Sequence, residues 1–272
     1  MKHFALIGDP VSHSLSPLIY RFLFEEYGID ADFSLLQIPK GGVDEVLSHD
    51  LDGFACTMPH KEAIIAHLGA ISDEAKAMNS VNIVKRTEFG LEGHSTDGEG
   101  LRLALGAKTA VEGRNIFILG SGGAARSAVF ALKKDNCVTV FARNAEAREK
   151  LCQSLGIDAL PIAEMEEHIG ECDIFINATP QGMKGKGEFE SLDFIGKMKK
   201  DAAVCDMVYN PRNTLLLQTA EQRGLTVIEG IDMLVMQAYA AFDIWFGIKP
   251  DAALLRERLY GKIEQELKER GK

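Results

Sequence analysis

An apolar run at 115–119 is followed at once by Gly120-Ser121-Gly122-Gly123-Ala124-Ala125 and then by an amphipathic stretch that reaches 134. Few folds accept that order. Five apolar residues in a row read as a buried strand, and the small residues after them make a tight turn into a helix. Larger side chains would keep a ligand off such a turn. Here the backbone N–H groups and the positive end of the helix dipole stand open to a pyrophosphate. The spacing lacks a third glycine at the usual offset, and a plain strand-to-helix turn is the competing explanation. The strand before it and the helix after it favour a dinucleotide cradle.

The same alternation runs along the chain. Apolar runs at 4–7, 33–38, 53–56, 138–142, 173–177, 203–206 and 226–228 predict strands, and amphipathic stretches at 17–27, 43–47, 61–68 and 124–134 lie between them. Strands that alternate with helices build a mostly parallel sheet. At 272 residues the chain is long for one core, since single cores stop growing near ~250 to 300 residues, so two domains flanking a cleft are expected. A helix at 97–105, stopped by Gly106, marks one connection, and a long apolar helix from 231 to 246 marks the other. A charged amphipathic helix is expected at 251–270. The predicted fold is α/β with two domains. An N-terminal α/β substrate domain with a mostly parallel sheet comprises 1–100 and 235–272, and a doubly wound, Rossmann-like dinucleotide-binding domain is inserted at 101–234.

The formal charge of −10 argues against a nucleic-acid surface, which needs a basic face. An anionic small ligand stays compatible with it, because a binding site is local. No stretch approaches the ~20 apolar residues of a membrane span, and the first apolar run is too short for a secretion signal, so a cytoplasmic protein is expected. The five cysteines show no CxxC spacing and read as buried small hydrophobes, with no metal.

Two residues stand out chemically. Lys61 ends Thr-Met-Pro-His-Lys at 57–61, and Asp97 sits in His-Ser-Thr-Asp-Gly at 94–98, each in a polar turning segment beside a predicted strand or helix. A lysine and an aspartate so placed can share one proton. Reduction of a ketone by hydride builds negative charge on oxygen, and a cationic donor stabilises that charge and delivers the proton. The structural alternatives are a solvated lysine at a helix start and a helix-capping aspartate, the latter compatible with catalysis. Ser12, Ser14 and Ser16 before Pro17 suit a carboxylate clamp, with capping by Ser16 as the simpler use. Arg143 follows the strand at 138–142, where an NAD-binding unit usually carries an acid. Its guanidinium fits a 2′-phosphate better than a hydroxyl and predicts NADP, although Glu146 adds a nearby negative charge.

Together these segments resemble the shikimate dehydrogenase family over nearly the whole chain. The resemblance is carried by Ser14-Leu15-Ser16-Pro17, 57–61, Val81-Asn82, Thr96-Asp97-Gly98, 120–124, 177–183 (Asn-Ala-Thr-Pro-Gln-Gly-Met), 206–211 (Asp-Met-Val-Tyr-Asn-Pro) and 230–237. It implies NADP-linked interconversion of 3-dehydroshikimate and shikimate, a step toward chorismate and the aromatic amino acids. By the resemblance, Lys61 would be the acid–base residue and Asp97 its catalytic companion. Ser14 and Ser16, helped by Tyr209, would hold the substrate carboxylate, and Thr57, Asn82, Asp97 and Gln237 would take the ring oxygens. Gly120, Ser121, Gly122, Gly123, Ala124, Arg143, Asn144, Thr179, Met207 and Gly230 would bind the cofactor.

Several positions depart from the family pattern. Tyr20-Arg21 replaces a His-Asn pair, Cys56 a Val, Ile83 a Thr and Ser95 an Asn, all expected to line or back the substrate pocket. Ala142-Arg143-Asn144 keeps only the arginine of Asn-Arg-Thr, which leaves NAD as a second cofactor. Rival activities are quinate or amino-shikimate oxidation on the same fold, although Ser16 stands where quinate users often carry Thr. A non-catalytic dinucleotide sensor would have no need of both Lys61 and Asp97. A folate-linked dehydrogenase fits the glycine turn but not the paired serines or Gln237. A monomer and a homodimer fit the sequence equally.

Overall fold

The computed structural model describes residues 1–270 and divides into two compact units, one of Met1–Thr96 with the chain from Ala238 onward and one of Asp97–Gln237. The first unit begins with β1 (Lys2–Gly8), α1 (Ser16–Glu26), β2 (Ala31–Gln37), β3 (Gly53–Cys56), β4 (Ala70–Ile71), α2 (Asp73–Met78), β5 (Ile83–Thr87) and β6 (Gly90–His94). Its sheet runs β2-β1-β3-β5-β6-β4, with β1 parallel to β2 and β3, and β5 antiparallel to β3 and β6. The amphipathic stretches at 43–47 and 61–68 form 3-10 helices, Val43–Ser48 and Ala63–His67. Val43 and Val46 alone are buried in the former, a three-residue spacing that a 3-10 turn places on one face.

The second unit contains α3 (Asp97–Gly106), β7 (Asn115–Leu119), α4 (Gly123–Leu132), β8 (Cys137–Ala142), α5 (Ala145–Leu155), β9 (Asp158–Pro161), α6 (Met165–His168), β10 (Ile174–Asn177), β11 (Ala203–Asp206), α7 (Leu215–Gln222) and β12 (Thr226–Ile228). All its strands are parallel, in the order β12-β11-β10-β7-β8-β9. Alternation sends Ile116, Ile118, Ile174 and Ile176 to one face and Phe117, Leu119 and Phe175 to the other, and both sets are buried. A parallel sheet covered on both faces reads as unbroken apolar runs, which is why these strands are visible in the sequence. The chain winds from β7 to β9 on one side and returns to β10 on the other. Ligands of doubly wound sheets bind at such a reversal, beyond the carboxyl ends of the strands.

Helix α8 (Gly230–Phe246) begins in the second unit and ends in the first, where α9 (Ala252–Leu254) and α10 (Tyr260–Arg270) follow. A π-helical turn at Leu255–Leu259 divides the single helix expected there. In the first unit the α8 end supplies Trp245, whose Nε1–H donates to the Val84 carbonyl at 3.0 Å. Tyr20 stacks on Phe33 with ring centroids 4.4 Å apart. Cys56, Cys172 and Cys205 are buried as expected, but Cys137 is exposed and Cys152 half-buried, because their positions at a strand start and on a helix flank face outward. Burial pushes the Cys172 thiol up to about 12. Among the described residues no helix is long and apolar enough to cross a membrane.

Candidate active site

In the first unit Thr57, Lys61 and Asn82 lie in segments joined where β1, β3 and β5 meet their loops. Thr57 follows β3 directly, and its N–H donates to the Ile7 carbonyl at 2.9 Å. Gly8 makes this approach possible: a Cβ there would lie 2.3 Å from Thr57 Cγ2 and 3.0 Å from the Met58 carbonyl oxygen. The segment is tied down at its far end as well, since the Lys61 carbonyl accepts from Val81 N–H at 2.8 Å. Between them, buried His60 places Nε2 2.6 Å from the Ile38 carbonyl oxygen. A carbonyl only accepts, so Nε2 carries the proton. Lys61 itself is half-buried, close enough to Cys56 for its positive charge to oppose the upward push of burial on that thiol.

Asn82 is held on both sides. Its Nδ2 donates to Thr96 Oγ1 at 3.0 Å, its Oδ1 accepts from Thr96 N–H at 2.8 Å, and its own N–H donates to the His94 carbonyl at 3.0 Å. Asn82 and Thr96 are both buried. Such a clamp fixes the amide before a ligand arrives, which lowers the ordering cost of binding. Thr96 has no expected role from the sequence, although it belongs to a quoted segment. At the start of α1, the Ser14 and Ser16 hydroxyls lie 3.1 Å apart, and Ser14 Oγ also accepts from Ser16 N–H at 3.1 Å. Ser16 is the first helical residue and the N-cap is Leu15, so it is Ser14, not Ser16, whose hydroxyl takes a helix-start N–H, and the capping use of Ser16 is not realised.

Of the departures from the family pattern, Tyr20, Cys56 and Ile83 are core residues, 0, 2 and 0 % exposed, Tyr20 in the aromatic cluster and the other two in the sheet, where they back the surface rather than form it. Arg21 on α1 is exposed. Ser95 Oγ and His94 Nε2 are buried atoms with no hydrogen-bond partner among the described residues.

The second unit carries the glycine turn at the β7 end. Gly120 has φ +122°, and a Cβ there would meet the Ala178 carbonyl oxygen at 3.0 Å and Thr179 Cγ2 at 3.2 Å. Gly122 and Gly123 face open space, and Gly122 caps α4 without any side-chain bond. The helix N–H groups are thus left for an anion. Beyond β8, Arg143 and Asn144 are exposed. Asn144 caps α5, its Oδ1 accepting from Ala147 N–H at 2.8 Å. Arg148, which no sequence signal marked, donates Nη1 to the carbonyls of Ala142 and Arg143 at 2.8 and 3.0 Å and so braces the Arg143 backbone. Glu146 pairs with Lys150 at 2.8 Å, and that hydrogen bond holds its carboxyl below the usual range.

Thr179 lies in the loop after β10, and Met207 and Tyr209 in the loop after β11. Gly230 allows α8 to start against that second loop, since a Cβ there would lie 2.6 Å from the Val208 carbonyl oxygen. Asp97 is the first residue of α3 and Gln237 lies on α8, where its Nε2 donates to the Leu234 carbonyl at 3.2 Å. Ser14, Ser16, Thr57, Lys61 and Asn82 therefore belong to the first unit, and Asp97, Tyr209, Gln237 and every expected cofactor residue to the second.

Comparison with known proteins matches the chain in three segments. Residues 6–84 fit the shikimate dehydrogenase substrate binding domain, 102–216 the shikimate/quinate 5-dehydrogenase model and 230–260 the shikimate 5′-dehydrogenase C-terminal domain. The NADP(+) shikimate dehydrogenase of Pyrococcus abyssi is 39% identical over 258 residues, covering 94% of this chain and 96% of its own. The chain belongs to the shikimate dehydrogenase family. A second relative of that name, from Methanococcus maripaludis, is 36% identical over 272 residues, covering 96% of this chain and 98% of its own. Among solved structures, the Thermus thermophilus shikimate 5-dehydrogenase in complex with NADP(H) and shikimate superposes with a TM-score of 0.85 at 32% identity, over 94% of this chain and 98% of its own. The Listeria monocytogenes shikimate 5-dehydrogenase, in complex with shikimate and NAD, gives 0.85 at 28% identity over 95% and 96%. The α/β fold with two parallel-rich sheets is the family's, and the antiparallel β3-β5-β6 segment is the one local departure from a parallel sheet expected from sequence.

Proposed function

We propose that this member of the shikimate dehydrogenase family catalyses the reversible, NADP-dependent reduction of 3-dehydroshikimate to shikimate in the cytoplasm, on the route to chorismate and the aromatic amino acids. The observation that carries this is the match to an NADP(+) shikimate dehydrogenase over 94% of the chain, whose Thr57–Lys61 segment, Asn82 and serine pair are held by bonds of the fold. The second unit's turn fits the cofactor: Gly120 allows the close approach, no side chain caps α4, and braced Arg143 suits a 2′-phosphate. Bound there, NADPH supplies the hydride.

Each remaining role falls to a side chain. Lys61 gives a proton to the oxygen as the ketone becomes an alcohol and takes it back in the reverse direction, with Asp97 as the second catalytic residue. Ser14 and Ser16 bind the substrate carboxylate with help from the Tyr209 hydroxyl. Thr57, Asn82, Asp97 and Gln237 bind the ring oxygens, Asp97 as an acceptor, and a deoxy analogue would leave polar groups of the site unpaired, at a cost of about 1–3 kcal/mol for each one that is buried. Ser121, Gly122, Gly123, Ala124, Asn144, Thr179, Met207 and Gly230 complete the cofactor contacts. Steady-state oxidation of shikimate and of quinate with NADP⁺ and NAD⁺ tests the assignment. The highest kcat/KM is expected for shikimate with NADP⁺, and a higher value with quinate would overturn it.

A further inference from the structure

Strands β10 and β11 end side by side, with Asn177 opposite Asp206 in the parallel register. The Asp206 side chain is 0 % exposed and accepts three hydrogen bonds: at Oδ1 from Asn177 Nδ2 (2.9 Å) and Val208 N–H (3.0 Å), and at Oδ2 from the Thr214 hydroxyl (2.6 Å). Asn177 carries the network onward. Its Oδ1 accepts from the Thr179 N–H (3.0 Å) and hydroxyl (2.6 Å), its Nδ2 also donates to the Gln181 carbonyl (3.2 Å), and its backbone carbonyl accepts from Met207 N–H (3.0 Å). A backbone bond from Lys184 N–H to the Asn210 carbonyl (3.0 Å) joins the same two loops farther out. Both loops therefore hang from one buried carboxylate.

That arrangement is costly. Burial raises the Asp206 pKa and the charge of Glu188 raises it further, while the bonds from Thr214, Val208 and Asn177 pull it back. At a buried strand end, aliphatic residues would serve stability at least as well, because desolvation of a charge offsets much of what its partners return. A carboxylate instead supplies direction, since every donor must point at it. Resting on the assignment of Thr179, Met207 and Tyr209 to cofactor and substrate, we infer that Asp206 is a positioning residue. Its carboxylate sets where the 177–183 and 207–211 loops present those three side chains, without touching either ligand itself.

Asp206→Asn keeps the shape but turns an amide nitrogen toward a donor, and Asp206→Ala removes the acceptors of all three bonds. The test measures the dissociation constant for NADP⁺ by calorimetry, KM for shikimate, and thermal unfolding, with Tyr209→Phe as a parallel control. Asp206→Asn should weaken NADP⁺ binding and raise KM for shikimate together, each by about tenfold. Tyr209→Phe should raise KM for shikimate alone. A purely structural Asp206 would lower Tm and leave both constants unchanged in the folded protein. Folded Asp206→Asn with both constants within about twofold of the parent overturns the inference, whatever Asp206→Ala does, because twofold is well below one lost hydrogen bond. A parent that binds no NADP⁺ overturns the cofactor assignment and this inference with it.

Discussion

Gly100 in α3 is a position where one added carbon would run into the backbone of a neighbouring helix. A Cβ there would lie 2.7 Å from both the Cβ and the backbone nitrogen of Gln237, and 2.8 Å from its Cα, whereas ordinary van der Waals contact begins at 3.4 Å. Gly100→Ala therefore requires α3 and α8 to part by roughly 0.7 Å, a backbone movement that no rotamer change relieves. Overpacking of this kind costs about 1–3 kcal/mol, and replacing a helical glycine by alanine returns up to ~1 kcal/mol. With ~2 kcal/mol for the overpacking, as backbone rather than side chain must move, the net expectation is a loss of about 1 to 2 kcal/mol, a Tm lower by roughly 3 to 6 °C in a unit of this size. Since the displaced residue is Gln237, KM for shikimate should rise several-fold in the same variant. Calorimetric unfolding and steady-state kinetics on one preparation check both. A Tm equal to or above the parent's would refute the close approach of the two helices.

The opposite result is expected at Gly261 in α10, where an added Cβ meets nothing within 4 Å. Gly261→Ala should stabilise by about 0.5–1 kcal/mol, read as a higher urea midpoint, and an unchanged or lower midpoint would contradict it. His94 supplies a pH signature. Burial lowers its pKa below 6.5, Lys85 lowers it too, and Glu92 and Glu74 pull the other way. The folded state thus protonates later than the unfolded state, so the contribution of His94 to stability is lost as pH falls below 6.5. The drop in urea midpoint between about pH 7 and about pH 5 should be smaller in His94→Phe than in the parent, and an equal drop would remove His94 from that dependence.

Burial pattern decides how much of the molecule is readable in the sequence. Expected strands at 115–119, 138–142, 173–177, 203–206 and 226–228 correspond to Asn115–Leu119, Cys137–Ala142, Ile174–Asn177, Ala203–Asp206 and Thr226–Ile228, because both faces of that sheet are covered and the apolar runs are unbroken. Edge strand β9, only half-buried, leaves no such trace. The β5-β6 hairpin is hidden for another reason. Lys85 is a charged residue in mid-strand whose Nζ donates to the Ile244 carbonyl at 2.7 Å, a partner 159 positions away. Among the site residues, Lys61 and Asn82 are marked by their segments, but what holds them is distant backbone and Thr96. Tyr20, Cys56 and Ile83 show the converse: residues that depart from the motifs and sit in the core, so that the sequence marks them but only the fold shows that they are buried. Arg148 braces Arg143 through carbonyls alone, and side-chain-to-backbone bonds carry no sequence signature.

The central chemical claim is that a single ammonium moves the proton. Turnover of Lys61→Ala with saturating shikimate and NADP⁺, measured beside calorimetric binding of each ligand, tests it most directly. The proposed role predicts that kcat falls by about a hundredfold or more while both ligands still bind. A kcat equal to the parent's would remove Lys61 from the mechanism.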